Sequence, residues 1–308
     1  MYYNLNQLHL ELKNNNYIPG DYIKFKVYEP KERKISAPQF KDKIVQFAIH
    51  NIINNDFENK FIKDSYACQK NKGTHKCAKR INHYLSKTYW EYNNPWILKA
   101  DMKDFFYSID HKILKNILGK EIKCDKTLKL LYKIIDYSPS NPGLPLGNVT
   151  SQLFANIYLN ELDKYCKRKL SLKTYSRYMD DIFVVLKNRN IAKKIKKLIS
   201  NFVNAELNLK LNNDKSKVFP LEQGINIVGY KIHSTHMLLR NGSKKRIKQK
   251  LKKFPDLMEN NELSIEKVEQ ILNSWKGHAD YACSENFYKY LEERFNFVER
   301  ENRKFIVK

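Results

Sequence analysis

Apolar residues recur along this chain with two periods, two residues and about 3.6, and their mixture predicts both strands and helices. From Tyr22 to Glu29 aromatic or apolar residues alternate with Lys, as in a strand. The basic run Lys31-Glu32-Arg33-Lys34 follows and is closed by Pro38. Ile44, Val45, Ala48, Ile49, Ile52 and Ile53 mark a helical stripe over 41–54, and a second amphipathic stretch lies around 76–90. Trp96 to Met102 reads as a buried strand ending near an acid. A helix over 111–118 is expected next, capped by Ser108 or Asp110 and stopped by Gly119. A Pro- and Gly-punctuated loop spans 138–147, and Leu153, Phe154, Ile157, Leu159 and Leu162 predict a helix over 151–167. Tyr175 to Leu186 reads as two short strands around a turn that carries two aspartates. A Lys-rich helix covers 190–205, residues 225–240 suggest another strand pair, and the tail from 243 is helical and basic. Strands and helices mix without strict βα alternation, so the expected class is α+β, a mixed core flanked by helical parts.

The 308 residues suffice for one large or two modest domains, and 42% hydrophobic with 13% aromatic content fits a folded chain. Charge narrows the choice of partner. Lys and Arg number 57 against 33 acidic residues, a net +24, which favours a polyanion, nucleic acid being the commonest. A membrane surface is the competitor, but no run of about 18 apolar residues predicts a spanning helix. The start, Met1-Tyr2-Tyr3-Asn4-Leu5, lacks the regions of a secretion signal. Five scattered cysteines without a Cys-x-x-Cys pair read as reduced thiols in the cytoplasm. Cys68, His75 and Cys77 lie close in sequence, yet a closed zinc site needs a fourth ligand and none is evident nearby.

The chemistry centres on Tyr178-Met179-Asp180-Asp181, followed by the apolar Ile182-Phe183-Val184-Val185-Leu186. Adjacent carboxylates beside a hydrophobic strand are unfavourable unless positive charge sits between them. Lys or Arg could supply it. So could two divalent ions, held roughly 3.5–4 Å apart, that clamp the attacking and leaving oxygens of a phosphoryl transfer. Magnesium takes a few carboxylates plus phosphates and water, so three aspartates from two segments suffice. Tyr-x-Asp-Asp alone equally suits a turn with two solvated aspartates. Asp101, ending a hydrophobic strand, is the second acidic segment. Its spacing to Phe106 puts a ring within reach of a nucleotide sugar, where it would collide with a ribose 2′-hydroxyl. The alternative leaves Phe105 and Phe106 in the core. The side chains of Asp104 and Asp110 read as turn and cap.

With these blocks in order, residues 25–240 resemble the reverse transcriptase family. Glu29 to Pro38 is similar to its first fingers block, and Ser65-Tyr66-Ala67-Cys68 through Lys72-Gly73-Thr74-His75 to its second. Ala100–Phe106 is similar to the first palm motif, Leu144–Gln152 to the template and nucleotide loop, and Tyr178–Asp181 to the catalytic turn. Asn212–Lys217 and Val228-Gly229-Tyr230 resemble the following motif and the primer grip. The resemblance implies a right-hand polymerase fold, with fingers and palm over 1–235 and a helical thumb over 236–308. It implies RNA-directed DNA synthesis with two magnesium ions, manganese being the substitute, on Asp101, Asp180, Asp181 and the Met102 backbone carbonyl. Lys215 is the implied general acid toward pyrophosphate, with Lys217 as its alternative. Nucleotide contacts are implied for Arg33, which suits a triphosphate as a bidentate donor, and for Lys43, which equally suits a solvent-facing position. The backbone of Asp104 and Phe105, the steric gate Phe106, and Leu146, Gly147 and Gln152 complete that set. Lys244, Lys245, Arg246 and Lys248 head a basic run expected along the nucleic-acid backbone, a solvated helix face being the other reading. Partners are template RNA, nascent cDNA and dNTPs, with no membrane.

The loop at 144–152 sharpens the resemblance. Leu146 and Gln152 stand where most relatives have Gln and Pro, and Thr150–Leu159 and Ser274–His278 are similar to reverse transcriptases of diversity-generating retroelements. That likeness implies error-prone copying of a template-repeat RNA with a small accessory variability protein. Leu146 offers apolar contact where Gln offers hydrogen bonds, which narrows the gap between right and wrong base pairs; the other reading packs Leu146 under the loop. A retron-like or antiviral-defence reverse transcriptase and a non-catalytic RNA-binding scaffold are the rivals. Little chain is left for a fused RNase H or endonuclease domain, so another protein is expected to remove the template.

Overall fold

The computed structural model describes residues 2–28, 32–287 and 289–293; Glu29, Pro30 and Lys31, the start of the first fingers-like block, lie outside the described residues. The chain divides into two compact units. One combines the residues up to Gly73 with Leu98–Val218; the other combines Thr74–Ile97 with the residues from Phe219 on.

The first unit opens on a helix that periodicity did not announce, α1 (Tyr2–Lys13), of whose leucines Leu8 alone is buried. The alternating segment becomes β1 (Ile23–Val27), and the basic segment after it is also a strand, β2 (Arg33–Ala37), paired antiparallel with Phe25 opposite Ile35. In α2 (Phe40–Glu58), Val45, Ile49, Ile53 and Phe57 recur every four residues and form the buried face. Ile52, read as part of that stripe, faces solvent instead. The next helix of the chain, α3 (Thr74–Glu91), belongs to the second unit. β3 (Trp96–Ala100) buries Leu98 and Ala100, and the single turn α4 (Phe105–Ser108) follows.

α5 (His111–Glu121) is capped by Asp110, whose carboxylate accepts from the backbone N–H of Lys112 and Ile113 at 2.9 and 3.1 Å; Ser108 has no such role. The helix runs through Gly119 rather than stopping there. A Cβ on Gly119 would lie 2.9 Å from the Tyr132 hydroxyl of α6 (Asp125–Asp136), so the missing side chain permits the close approach of two helices. α7 (Val149–Lys164) starts before the expected Ser151 and passes into a π-helical turn over 165–169. It is buried nearly all round, as a central core helix is. β4 (Ser176–Tyr178) and β5 (Asp181–Leu186) form a hairpin with Tyr178 opposite Asp181, leaving Met179 and Asp180 as the turn. α8 (Arg189–Leu207), capped by Asn188, faces inward with Ala192, Ile195, Ile199, Val203 and Leu207. β6 (Lys217–Pro220) completes a four-stranded sheet of order β4-β5-β3-β6.

In the second unit, α3 packs against β8 of a three-stranded antiparallel sheet, β7 (Ile225–Ile227), β8 (Tyr230–Ile232) and β9 (Met237–Leu239), where the sequence suggested a pair. Val228 and Gly229 both have positive φ, +43° and +94°, as a two-residue hairpin turn requires. α9 (Asn241–Glu259) buries Ile247, Leu251, Phe254 and Met258 in one cluster with Val268 of α10 (Ile265–Ala279). All five cysteines are free, and no described helix is long and apolar enough to cross a membrane.

Candidate active site

The acids meet through β pairing within the first unit. Residues 101–103 run antiparallel to 210–212: Asn212 donates its N–H to the Asp101 carbonyl at 2.8 Å, Lys103 donates to Lys210, and Met102 faces Leu211. The Asn212 side-chain oxygen accepts from the N–H groups of Asp214 and Lys215, closing a tight turn. That turn aims Lys215 at Asp101. Its ammonium donates to both carboxylate oxygens, at 2.9 and 3.0 Å, and the bonds raise the Lys215 pKa. Because β5 lies next to β3, the β4–β5 turn arrives beside Asp101. Lys99, on the same face of the chain as Asp101 by the strand period of two, makes an ion pair of 3.3 Å with Asp181.

Asp180 is treated differently from its neighbours. It has no ion pair among the described residues. Burial, then the charges of Asp101 and Asp181, push its pKa up to about 6. A carboxylate that resists ionising beside two others is a site short of positive charge. Among the described residues no three His, Cys, Asp or Glu side chains stand close enough to share one ion; the ammonium groups of Lys215 and Lys99 stand on Asp101 and Asp181 instead. The donor set is nonetheless all oxygen and anionic, the kind a hard divalent cation takes. The residues present fit such an ion. The same count covers Cys68, His75 and Cys77, which gather no zinc set.

The turn opens on a cleft of ≈ 1010 Å³. That is at the upper end of the roughly 300–1,000 Å³ of small-molecule sites. Most of the residues singled out by sequence line it: Arg33, Met102, Asp104, Phe105, Phe106, Leu146, Gly147, Gln152, Asp180, Asp181 and Lys215. Asp101 is 5% exposed. The two phenylalanines divide the readings made of them. Phe105 is buried in the core and Phe106 is half-buried, and both line the cleft. Gly147, at φ +140°, touches β2: a Cβ there would sit 2.5 Å from the Ser36 carbonyl oxygen, and the Ser36 N–H donates to the Leu146 carbonyl at 2.9 Å. The loop is thereby stitched to the strand that carries Arg33. Lys43 is exposed on α2 and is not among the lining residues. Lys244, Lys245, Arg246 and Lys248 belong to the second unit, on the first turns of α9; Lys244 and Lys248 lie over the Phe287 ring at 5.8 and 5.4 Å.

Sequence reasoning assigned no role to Lys99, Asn212 or Arg177. Lys99 could have been found, since strand alternation puts it on the face of Asp101. Asn212 lay inside a quoted block but its turn-forming bonds are local geometry that a residue name does not reveal. Arg177 is wholly buried and partnered by Asp163 of α7, a pairing across distant segments with no signature in a single sequence.

Residues 24–232 match the reverse transcriptase (RNA-dependent DNA polymerase) family. The putative COX1/OXI3 intron 2 protein of Saccharomyces cerevisiae is 26% identical over 267 residues, which cover 66% of this chain and 31% of that protein. The chain therefore spans less than a third of that relative's length. The retron Ec73 reverse transcriptase of Escherichia coli is 30% identical over 233 residues, 70% of each chain. Among solved structures, telomerase from Candida albicans in complex with a fragment of telomeric RNA superimposes with a TM-score of 0.56 at 15% identity, covering 92% of this chain and 55% of that one. The shared fold is the α+β fold of reverse transcriptases, as expected. By the extent of the match, the chain belongs to the reverse transcriptase (RNA-dependent DNA polymerase) family.

Proposed function

We propose that this protein is an RNA-directed DNA polymerase, in which a primer 3′-hydroxyl attacks the α-phosphate of a dNTP and pyrophosphate leaves. One observation carries the reading: Asp101, far from Asp180 and Asp181 in sequence, lies close enough for its charge to raise the Asp180 pKa, beside a cleft lined by Asp180, Asp181 and Lys215. The family uses divalent metal ions, and Asp101, Asp180, Asp181 and the Met102 carbonyl would hold them. Such ions, magnesium on this reading, stabilise charge on the attacking and leaving oxygens. Lys215, an ammonium at neutral pH as any ordinary lysine is, protonates departing pyrophosphate on this reading. Arg33 pairs with the triphosphate as a planar bidentate donor. The backbone of Asp104 and Phe105, with Leu146, Gly147 and Gln152, frames the incoming base and sugar. Phe106 excludes the 2′-hydroxyl. Residues 1–235 act as fingers and palm and 236–308 as thumb, where Lys244, Lys245, Arg246 and Lys248 follow the duplex backbone.

Primer extension on an RNA template tests this. Wild type extends with dNTPs, Asp180→Asn does not, and Phe106→Ala admits ribonucleotides. Extension unchanged by Asp180→Asn would end the proposal.

The finer reading, error-prone copying in a diversity-generating retroelement with an accessory variability protein in the cytoplasm, rests on the Leu146 to Gln152 pattern. Leu146→Gln is then expected to lower misincorporation opposite template adenine. A second reading, a retron-type enzyme, is favoured by the likeness to the Ec73 protein across 70% of both chains. Sequencing the cDNA made from RNA that copurifies with the protein separates the two: adenine-directed errors in a repeat support the first, and a single faithful structured copy supports the second.

A further inference from the structure

We infer that Arg177 and Asp163 form a positioning device that holds Met179 in its left-handed conformation and so aims Asp180 and Asp181; the inference rests on the reading of that turn as catalytic. Arg177 and Asp163 are both fully buried. All three guanidinium nitrogens donate. Nε donates to the two Asp163 oxygens at 2.8 and 3.1 Å, and Nη2 donates to Oδ2 at 2.7 Å. Nη1 donates to the Asn156 side-chain oxygen at 3.1 Å and to the Met179 carbonyl at 2.9 Å. Tyr175 adds a 2.6 Å bond from its hydroxyl to Asp163. The Arg177 backbone is fixed as well, donating to Asp64 and accepting from Tyr66.

Met179 has φ +54°. A long unbranched side chain is disfavoured there, since its Cβ crowds the following carbonyl oxygen. The two-residue β4–β5 hairpin calls for positive φ at this position, and the strain it puts on Met179 is relieved by any opening of the turn that rotates the peptide carrying Asp180. The hydrogen bond to the Met179 carbonyl opposes this. A buried ion pair taken alone is weak evidence of stabilisation, because apolar residues of similar volume often serve as well. What apolar residues cannot replace is the bond to that carbonyl. Lysine cannot replace it either: a point charge that stays on Asp163 does not reach Asn156 and Met179 together.

The test is primer extension by the full chain across a magnesium titration, with thermal unfolding followed in parallel. The variants are Arg177→Lys and the apolar pair Arg177→Met with Asp163→Leu, which decides the matter if lysine does not fold. The expected result is a folded variant whose kcat falls about ten- to a hundred-fold, as misplaced reacting groups do, with a several-fold rise in half-saturating magnesium. The Arg177→Lys loss should also shrink in a Met179→Gly background, because glycine accepts positive φ without penalty. Loss of melting temperature and active fraction, with magnesium half-saturation unmoved and no coupling to residue 179, would overturn the inference. A wild type that extends no primer removes the polymerase reading itself; a wild type that extends, matched by its variants, removes this inference alone.

Discussion

Asp163 and Asp180 are two carboxylates of the same unit, withdrawn from water to different degrees and compensated in opposite ways. Asp163, fully buried, accepts from Arg177 through three contacts and from Tyr175 through a fourth. Its charge is matched. Asp180 lines the cleft with Asp181, feels the charge of the buried Asp101 as well, and is left with a pKa of about 6. The contrast teaches which carboxylates keep a fold in place and which await a ligand. A core anion must be neutralised within the chain, because nothing else will reach it. A site that receives a cation carries its deficit of positive charge beforehand, and the deficit is visible as a displaced pKa.

Removing each charge breaks this comparison in a different observable. Asp180→Asn should reduce primer extension by about a thousand-fold or more, the scale of losing a group that organises transition-state charge. Asp163→Asn should instead reduce stability by about 3–5 kcal/mol, because it leaves the Arg177 guanidinium buried without a counter-charge. A denaturant midpoint that does not move in Asp163→Asn would show that the two carboxylates are not differently employed.

The pH dependence sharpens the same point. Asp180 has a folded-state pKa of about 6 against an ordinary 3.8. The folded protein thus binds this proton more tightly than the unfolded chain. The stability contributed is fully present below about pH 4 and is lost as pH rises through 6. At about 1.4 kcal/mol per pKa unit, the ionised group withholds at most about 3 kcal/mol at pH 8. Asp180→Asn removes that penalty, so the inactive variant should melt above wild type at pH 8, with the difference fading toward pH 4. Melting curves of the two proteins across that range, without divalent cations, check it. A variant that melts lower at pH 8 contradicts the assignment of Asp180 as an under-compensated charge.

How much of this was legible beforehand follows the physics of each feature. The β4–β5 hairpin and its acids were readable because apolar flanks and adjacent aspartates are local signals, and the register with Tyr178 opposite Asp181 bore them out. α8 was equally clear, its apolar positions falling every three or four residues. β2 was hidden because Arg33 and Lys34 belong to a basic run without alternation; both are exposed in a two-stranded ribbon, and the pairing partner supplies the strand. Gly119 misled as a helix stop because the reason for a glycine there, the Tyr132 hydroxyl, lies on another helix. α1 escaped because two of its four leucines, Leu5 and Leu10, face solvent and blur the helical period. Within the site, the carboxylates and Phe106 could be named from spacing, whereas their counter-charges could not. That Lys215 stands on Asp101 and Lys99 on Asp181 depends on how residues 101–103 meet the 210–212 segment and how β3 meets β5.

Lys99 gives the smallest and most discriminating effect. Its 3.3 Å pair with Asp181 is partly open to solvent, the side chains being 23% and 30% exposed. A pair of that kind contributes at most about 1 kcal/mol. Lys99→Gln should therefore barely move the melting temperature when divalent cations are absent. With magnesium added, the ammonium no longer competes for Asp181, and half-saturation measured by thermal shift should fall by up to about five-fold, the equivalent of 1 kcal/mol. Asp163 offers no such response, since no cation from solution reaches a carboxylate already matched in the core. If half-saturation rises in Lys99→Gln, Lys99 is supporting the bound state rather than standing in for the ion, and Asp181 belongs with Asp163 on the compensated side.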